Sequence, residues 1–238
     1  MAIIDKPNLH FNTKLYTGNG GTQSISGVNF QPDWTWIKAR SGTYNATDHM
    51  LFDAVRGATK EIRSNTTSAE DTNTTTLTSF NSDGFSLSTK TNVNGSSTEY
   101  ASWNWKAGGS ASNNTDGDIT SSVSVNQDTG FSVVSWSGNG SNPSTVGHGL
   151  GVAPKMIIAR IRNGSDNWRV GHDSLGGWNY NLSLQHTEAK YINTNVWNST
   201  APSSTYFTIG AELNSGSGTY IAYCFAEKQG FSKFGSYT

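Results

Sequence analysis

Five histidines, His10, His49, His148, His172 and His186, are the side chains best suited to proton transfer or metal ligation near neutral pH. No two stand at metal-ligand spacing and none belongs to an HExxH motif, so structural or surface roles are expected. Glycoside hydrolysis needs two carboxylates flanking the scissile bond. The glutamates Glu61, Glu70, Glu99, Glu188, Glu212 and Glu227 form no E-x-D-x-x-E strand signature, and Glu70-Asp71 and Glu188 fall in polar stretches. There is no G-x-S-x-G elbow between strand and helix and no G-x-x-x-x-G-K-[ST] loop. The oxygen-rich run Asn114-Thr115-Asp116-Gly117-Asp118 lacks the spacing and distal glutamate of an EF-hand and reads as a turn. A single cysteine, Cys224, excludes an intrachain disulfide and a thiolate metal site. No catalytic residue, metal or cofactor is expected.

Binding is the chemistry left to test. Asp53 and Arg56 in FDAVRG could clamp a polar ligand, or Asp53 could shape a turn with Arg56 as its local partner. An aspartate recurs near the same place in a second segment as Asp173, whereas Arg56 faces Gly176, which favours scaffold. Trp103, Trp105, Tyr223 and Phe225 recur on one face of two matching segments and are expected in the core. Trp168, Trp178 and Tyr180 have no such counterparts and lie near the loop GGWNYN. These three are the candidate ligand contacts, because planar rings stack on sugar faces at low entropic cost.

The elements that must position these side chains are strands. Gly, Ser, Thr and Asn supply 110 of 238 residues, against few helix formers, while eight Trp, nine Tyr and ten Phe give enough apolar surface to fold. A net charge of −1 excludes a strongly basic nucleic-acid binder, and no apolar run approaches a membrane span. The chain also repeats itself. Phe11–Gly20 (FNTKLYTGNG) matches Phe131–Gly140 (FSVVSWSGNG), Gln31–Gly42 matches Ala153–Gly164, and Tyr100–Trp105 matches Tyr220–Phe225, at offsets between 120 and 122. This predicts an N-terminal arm over 1–7, a first unit over 8–108 and a linker over 109–129 whose alternating Ile119-Ser121-Val123-Val125 could add an edge strand. A second unit follows over 130–230, and a segment over 231–238 resembles the start of a third. Short strands separated by Gly/Asn turns point to an all-β chain of two tandem homologous β-sandwich or jelly-roll domains. Cys224 is expected buried, and Asp53–Arg63 is expected to form a hairpin or short turn.

The segments FQPDWTWIKARSG, LFDAVRGATK, ASWNWKAGG, VGHGLGVAPKMIIAR and GTYIAYCFAEKQGFSKFGSY resemble a repeated domain of appendage and tail-fibre proteins of tailed bacteriophages, especially those of marine bacteria and cyanobacteria. The resemblance covers nearly the whole chain. It implies a concanavalin-like or jelly-roll sandwich and a structural virion protein, a tail fibre or a head or tail decoration, that attaches to the host by non-catalytic binding. Its expected partners are other virion proteins, further copies in a homotrimer and a host surface glycan, with neither nucleic acid nor membrane. The alternatives are a fibre-borne polysaccharide-degrading enzyme and a free lectin. The N-terminus lacks the apolar h-region of a signal peptide, so synthesis in the host cytoplasm and a place on the virion are expected. Gly230–Thr238 either belongs to a longer polypeptide or supplies a strand that completes a sheet. The expectation is an ordered, paired strand over about 231–237 that hides Phe231, Phe234 and Tyr237.

Overall fold

The computed structural model describes residues 4–237, so part of the expected N-terminal arm lies outside the described residues. The first half carries β1 (Phe11–Thr17), β2 (Gln23–Ile25), β3 (Trp34–Ser41), β4 (Met50–Asp53), β5 (Lys60–Arg63), β6 (Asp71–Thr72), β7 (Leu77–Asn81), β8 (Gly84–Leu87), a one-turn helix α1 (Thr91–Asn94) and β9 (Glu99–Trp105). The stretch between the halves supplies β10 (Ser112–Asn114) and β11 (Ser121–Asn126). The second half carries β12 (Phe131–Ser137), β13 (Ser144–Gly147), β14 (Met156–Ile161), β15 (Arg169–His172), β16 (Tyr180–Ser183), β17 (Tyr191–Ile192), α2 (Thr194–Trp197), β18 (Tyr206–Ile209) and β19 (Thr219–Phe225). The chain is nearly all β, as the composition predicts.

Two large antiparallel sheets dominate. One runs β1-β9-β3-β4-β5-β6 and the other β10-β11-β12-β19-β14-β15-β16-β17. Apart from the added β10 and β11, the two orders correspond strand for strand. The small sheet β2-β8-β7 backs the first large sheet through Ile37, Met50, Phe52, Phe85 and Tyr100. The pair β13-β18 backs the second through Trp136, Ile157, Phe207, Tyr220 and Ala222. The opposite faces of the large sheets meet each other. Trp34, Leu51 and Ile62 of the first pack with Phe131, Ile158, Trp168, Ile221 and Tyr223 of the second. Strand alternation explains how β19 serves both cores: Tyr220, Ala222 and Cys224 point one way, and Ile221, Tyr223 and Phe225 the other. Cys224 is fully buried, and burial raises its thiol pKa far above the usual range.

The repeated GNG turns have a common cause. In the first half Asn94 Oδ1 accepts from Asn19 N (3.0 Å), Asn94 Nδ2 donates to Asn19 Oδ1 (3.1 Å), and the Tyr100 hydroxyl accepts from Gly95 N (2.8 Å). In the second, Asn214 Oδ1 accepts from Asn139 N (2.9 Å), Asn214 Nδ2 donates to Asn139 Oδ1 (2.8 Å), and the Tyr220 hydroxyl accepts from Ser215 N (2.8 Å). A side chain at Gly18 would run into the Gly95 carbonyl, and one at Gly138 into that of Ser215. Glycine is needed there because the backbones touch.

Candidate functional site

The seam between the large sheets is built from aromatic rings. Trp34 stacks on Tyr223 at 4.2 Å between ring centres and lies 4.2 Å from Trp105. Phe131 sits 5.7 Å from Trp34 and 5.1 Å from Phe225. At one end the sheets part, leaving a cleft of about 400 Å³. Phe11, Trp34, Trp36, Trp105, Met156 and Phe225 form part of its wall, and Pro7, Phe231 and Phe234 also line it. Among the described residues, none that lines the cleft is titratable. The aromatic surface continues along the first sheet past Trp36 to Trp103 and His49. Trp36 Nε1 donates to His49 Nδ1 at 3.1 Å, which places the imidazole proton on Nε2. Burial lowers the His49 pKa, with Lys38 acting in the same direction and Asp48 against it.

Beyond the rings the seam holds a buried polar network. Arg56 Nε meets Asp53 Oδ2 at 2.5 Å, and the Tyr223 hydroxyl donates to the same oxygen at 2.9 Å. Arg56 Nη1 reaches Glu70 Oε2 at 3.2 Å, and Arg162 from the second half holds both Glu70 oxygens at 2.9 and 3.0 Å. Burial works against the Glu70 charge, yet the bonds from Arg162 and Arg56 hold its pKa below the usual carboxylate range. Burial likewise opposes the Arg56 charge and is the largest single influence, but Asp53, Tyr223 and Glu70 together outweigh it and raise the pKa. Arg160 donates to the main-chain carbonyls of Arg63 (3.2 Å), Thr66 (2.7 Å) and Ser68, so the second half grips a loop of the first. With its charge buried against carbonyls, Arg160 falls to a pKa of about 10. These charges are spent on one another and on holding the halves together.

The expected contact residues are largely elsewhere. Trp168 is fully buried at the seam, its Nε1 donating to Arg63 O at 2.8 Å, and Trp178 is buried edge-on to Trp197 at 5.7 Å. Neither offers a ring face to a ligand. Trp178 fills the core of the second half, whereas Trp168 fills the seam that both halves share. Tyr180 remains half-buried, with Lys190 Nζ 4.4 Å above its ring. Trp103, expected in the core beside Tyr223, is half-exposed, because the second sheet stops short of covering it. Tyr223 itself is fully buried.

Asp53 and Asp173 are not equivalent in the sheets. Asp53 lies opposite Trp34, and the residue opposite Met156, the Trp34 counterpart, is His172. Asp173 sits one place further on, in a 3₁₀ turn, half-exposed and bonded to Lys155 at 2.7 Å. The C-terminal segment also departs from expectation. Among the described residues it forms one isolated bridge, Lys228–Ser232, and no strand, and Tyr237 is fully exposed. Phe231 and Phe234 are half-buried at the cleft, near His10 and His172. Gly235 interrupts the run of side chains that a pleated strand would use.

Residues 6–238 match a family described only as a domain of unknown function. The chain belongs to the DUF7483 family. That match takes in both halves and the stretch between them, in line with a seam to which both halves contribute. No curated protein and no solved structure matches the DUF7483 chain. The rings that line the cleft and its extension, Trp36 and Trp105 above all, do not stand out in the sequence as open surface because they alternate like core. One signal lay in the repeat: Trp36 aligns with Ile158 and Trp34 with Met156, so the first half carries rings where the second carries aliphatic side chains.

Proposed function

We propose that this chain is a structural and adhesive component of a tailed-phage particle, made of two tandem copies of one β-sandwich unit and binding its target without catalysis. The shared strand order of the large sheets and the paired Asn–Tyr knots support the duplication. The reading of function rests on the cleft and its Trp36–Trp103 extension. They offer ring faces and aliphatic surface, with no acid or base among the described residues that line the cleft. Such a surface packs against the flat faces of sugar rings in a host glycan. His49, with its proton on Nε2, supplies a donor beside it.

The test has two arms. Antibodies against the chain should label purified particles, and fluorescently labelled protein should bind host cells. Replacing Trp103 by alanine should weaken cell binding about three- to tenfold, as the loss of one aromatic contact implies, with the thermal midpoint little changed. Unlabelled particles, or full binding by Trp103→Ala and Trp36→Ala together, would remove the basis of the reading. New reducing ends released from host polysaccharide would turn it toward a fibre-borne hydrolase.

A further inference from the structure

The two large sheets differ at one edge. In the second half β12 is covered on its outer side by β11, with Phe131, Val133 and Ser135 opposite Asn126, Ser124 and Ser122. The corresponding strand β1 pairs only with β9, so among the described residues its outer side is open. Lys106 N donates to His10 O and Gly18 N to Thr98 O, both at 2.8 Å, which fixes the phase of the β1–β9 ladder. Asn12, Lys14 and Tyr16 therefore turn their main-chain groups to β9, and Phe11, Thr13 and Leu15 turn theirs outward. These are the counterparts of the three β12 residues that β11 covers. Leu15 is 58% exposed.

We propose that β1 pairs antiparallel with β1 of a second copy of this chain, joining the two six-stranded sheets across a two-fold axis. The other edges of the large sheets are short: β6 and β17 have two residues each and β10 three, against seven for β1. A ring of three copies built by strand pairing would need β1 to meet one of those edges or an edge of the small sheets, none of them longer than five residues. Self-pairing needs only β1, and its outward groups select the register. Thr13 faces Thr13 of the partner subunit, and Phe11 faces the partner's Leu15, so an exposed leucine is covered by a ring. Lys14 then lies opposite the partner's Asn12. Of the two neighbouring registers, one would set the two Lys14 side chains against each other and the other would carry Leu15 past the end of the partner's β1, so both are disfavoured.

The experiment uses the full chain in sedimentation velocity at micromolar concentration. A dimer is expected, and Leu15→Lys, an exposed change that places charge on the edge, should raise its dissociation constant at least tenfold. In parallel, Thr13→Cys should form an interchain disulfide on mild oxidation, since paired strand positions lie within disulfide reach. Asn12→Cys should not, and the native Cys224 is buried. A monomer up to 100 micromolar, a dimer indifferent to Leu15→Lys, or cross-linking through Lys14→Cys in place of Thr13→Cys would each overturn the proposal.

Discussion

In the first half Asn94 ties the Asn19 turn to the end of α1, and in the second Asn214 ties the Asn139 turn in the same geometry. At the seam the halves part company. The first contributes a sealed Asp53–Arg56 pair, whereas the matching corner of the second holds His172 and an outward Asp173–Lys155 pair. Arg40, exposed in the first half, corresponds to Arg162, which grips Glu70 across the seam. What closes each half is repeated, and what joins them is divided. A knot within a half must be made twice because each half has its own turn to fasten. The seam is one surface, so a single buried network, fed from both sides, suffices. A second buried pair would add desolvation cost and little else.

The largest effect should come from the network. Arg56→Leu leaves Asp53, and Glu70 in part, buried without their cation, and should cost about 3–5 kcal/mol in urea unfolding. A loss below about 1 kcal/mol would mean that the seam does not depend on the pair. The knots come next. Asn94→Ala and Asn214→Ala each remove several hydrogen bonds from fully or nearly buried side chains and should cost about 2–4 kcal/mol apiece. Their similarity carries the weight: if one variant were neutral, the halves would not close in the same way.

This explains which parts of the fold were legible in the sequence. Alternation along YASWNW and YIAYCF marked β9 and β19 as strands, and the repeated GNG marked the turns. Nothing local showed that each GNG is fastened by an asparagine 75 residues away. Both faces of β19 are apolar, so its pattern could not say which face meets the other half. The candidate site suffered for the same reason. Trp168 stands next to polar residues in the chain, and it is buried in a seam to which the first half contributes, with its Nε1 bonded to Arg63 O. Trp103 alternates like a core residue and is uncovered only because the opposite sheet ends.

A pH effect separates a buried polar contact in the second half from the seam. His148 is fully buried; its Nδ1 accepts from Leu150 N at 3.1 Å, and its Nε2 faces Ser203 O at 3.3 Å. Burial lowers its pKa from 6.5 to about 4, with the Ser203 carbonyl and Asp116 pulling the other way. Between these values the unfolded chain binds a proton that the folded chain refuses. The stability from this site is complete above pH 6.5 and is lost as the pH falls toward 4, by up to about 3 kcal/mol. His148→Asn keeps an acceptor for Leu150 N and should flatten that part of the pH profile of the unfolding midpoint. The wild-type slope persisting in the variant would assign it to other groups, since His10, His49 and His172 are lowered in the same direction.

The smallest expected effect is the direct counterpart of the largest. Asp173 and Lys155 are 49% and 41% exposed, and their contact at 2.7 Å competes with water on both sides. An exposed pair gives back most of its Coulomb gain in side-chain ordering and salt screening. Asp173→Asn should therefore change stability by less than about 1 kcal/mol, and 0.5 M salt should erase most of the difference. Asp53→Asn puts the same chemical change into the buried network and should cost several-fold more, with little response to salt, because solvent ions do not reach that network. Measured side by side in urea with and without salt, the two substitutions isolate burial as the variable. Equal losses, or a salt response at Asp53 as large as at Asp173, would place both carboxylates in the same environment and dissolve the distinction between the seam and the outer corner.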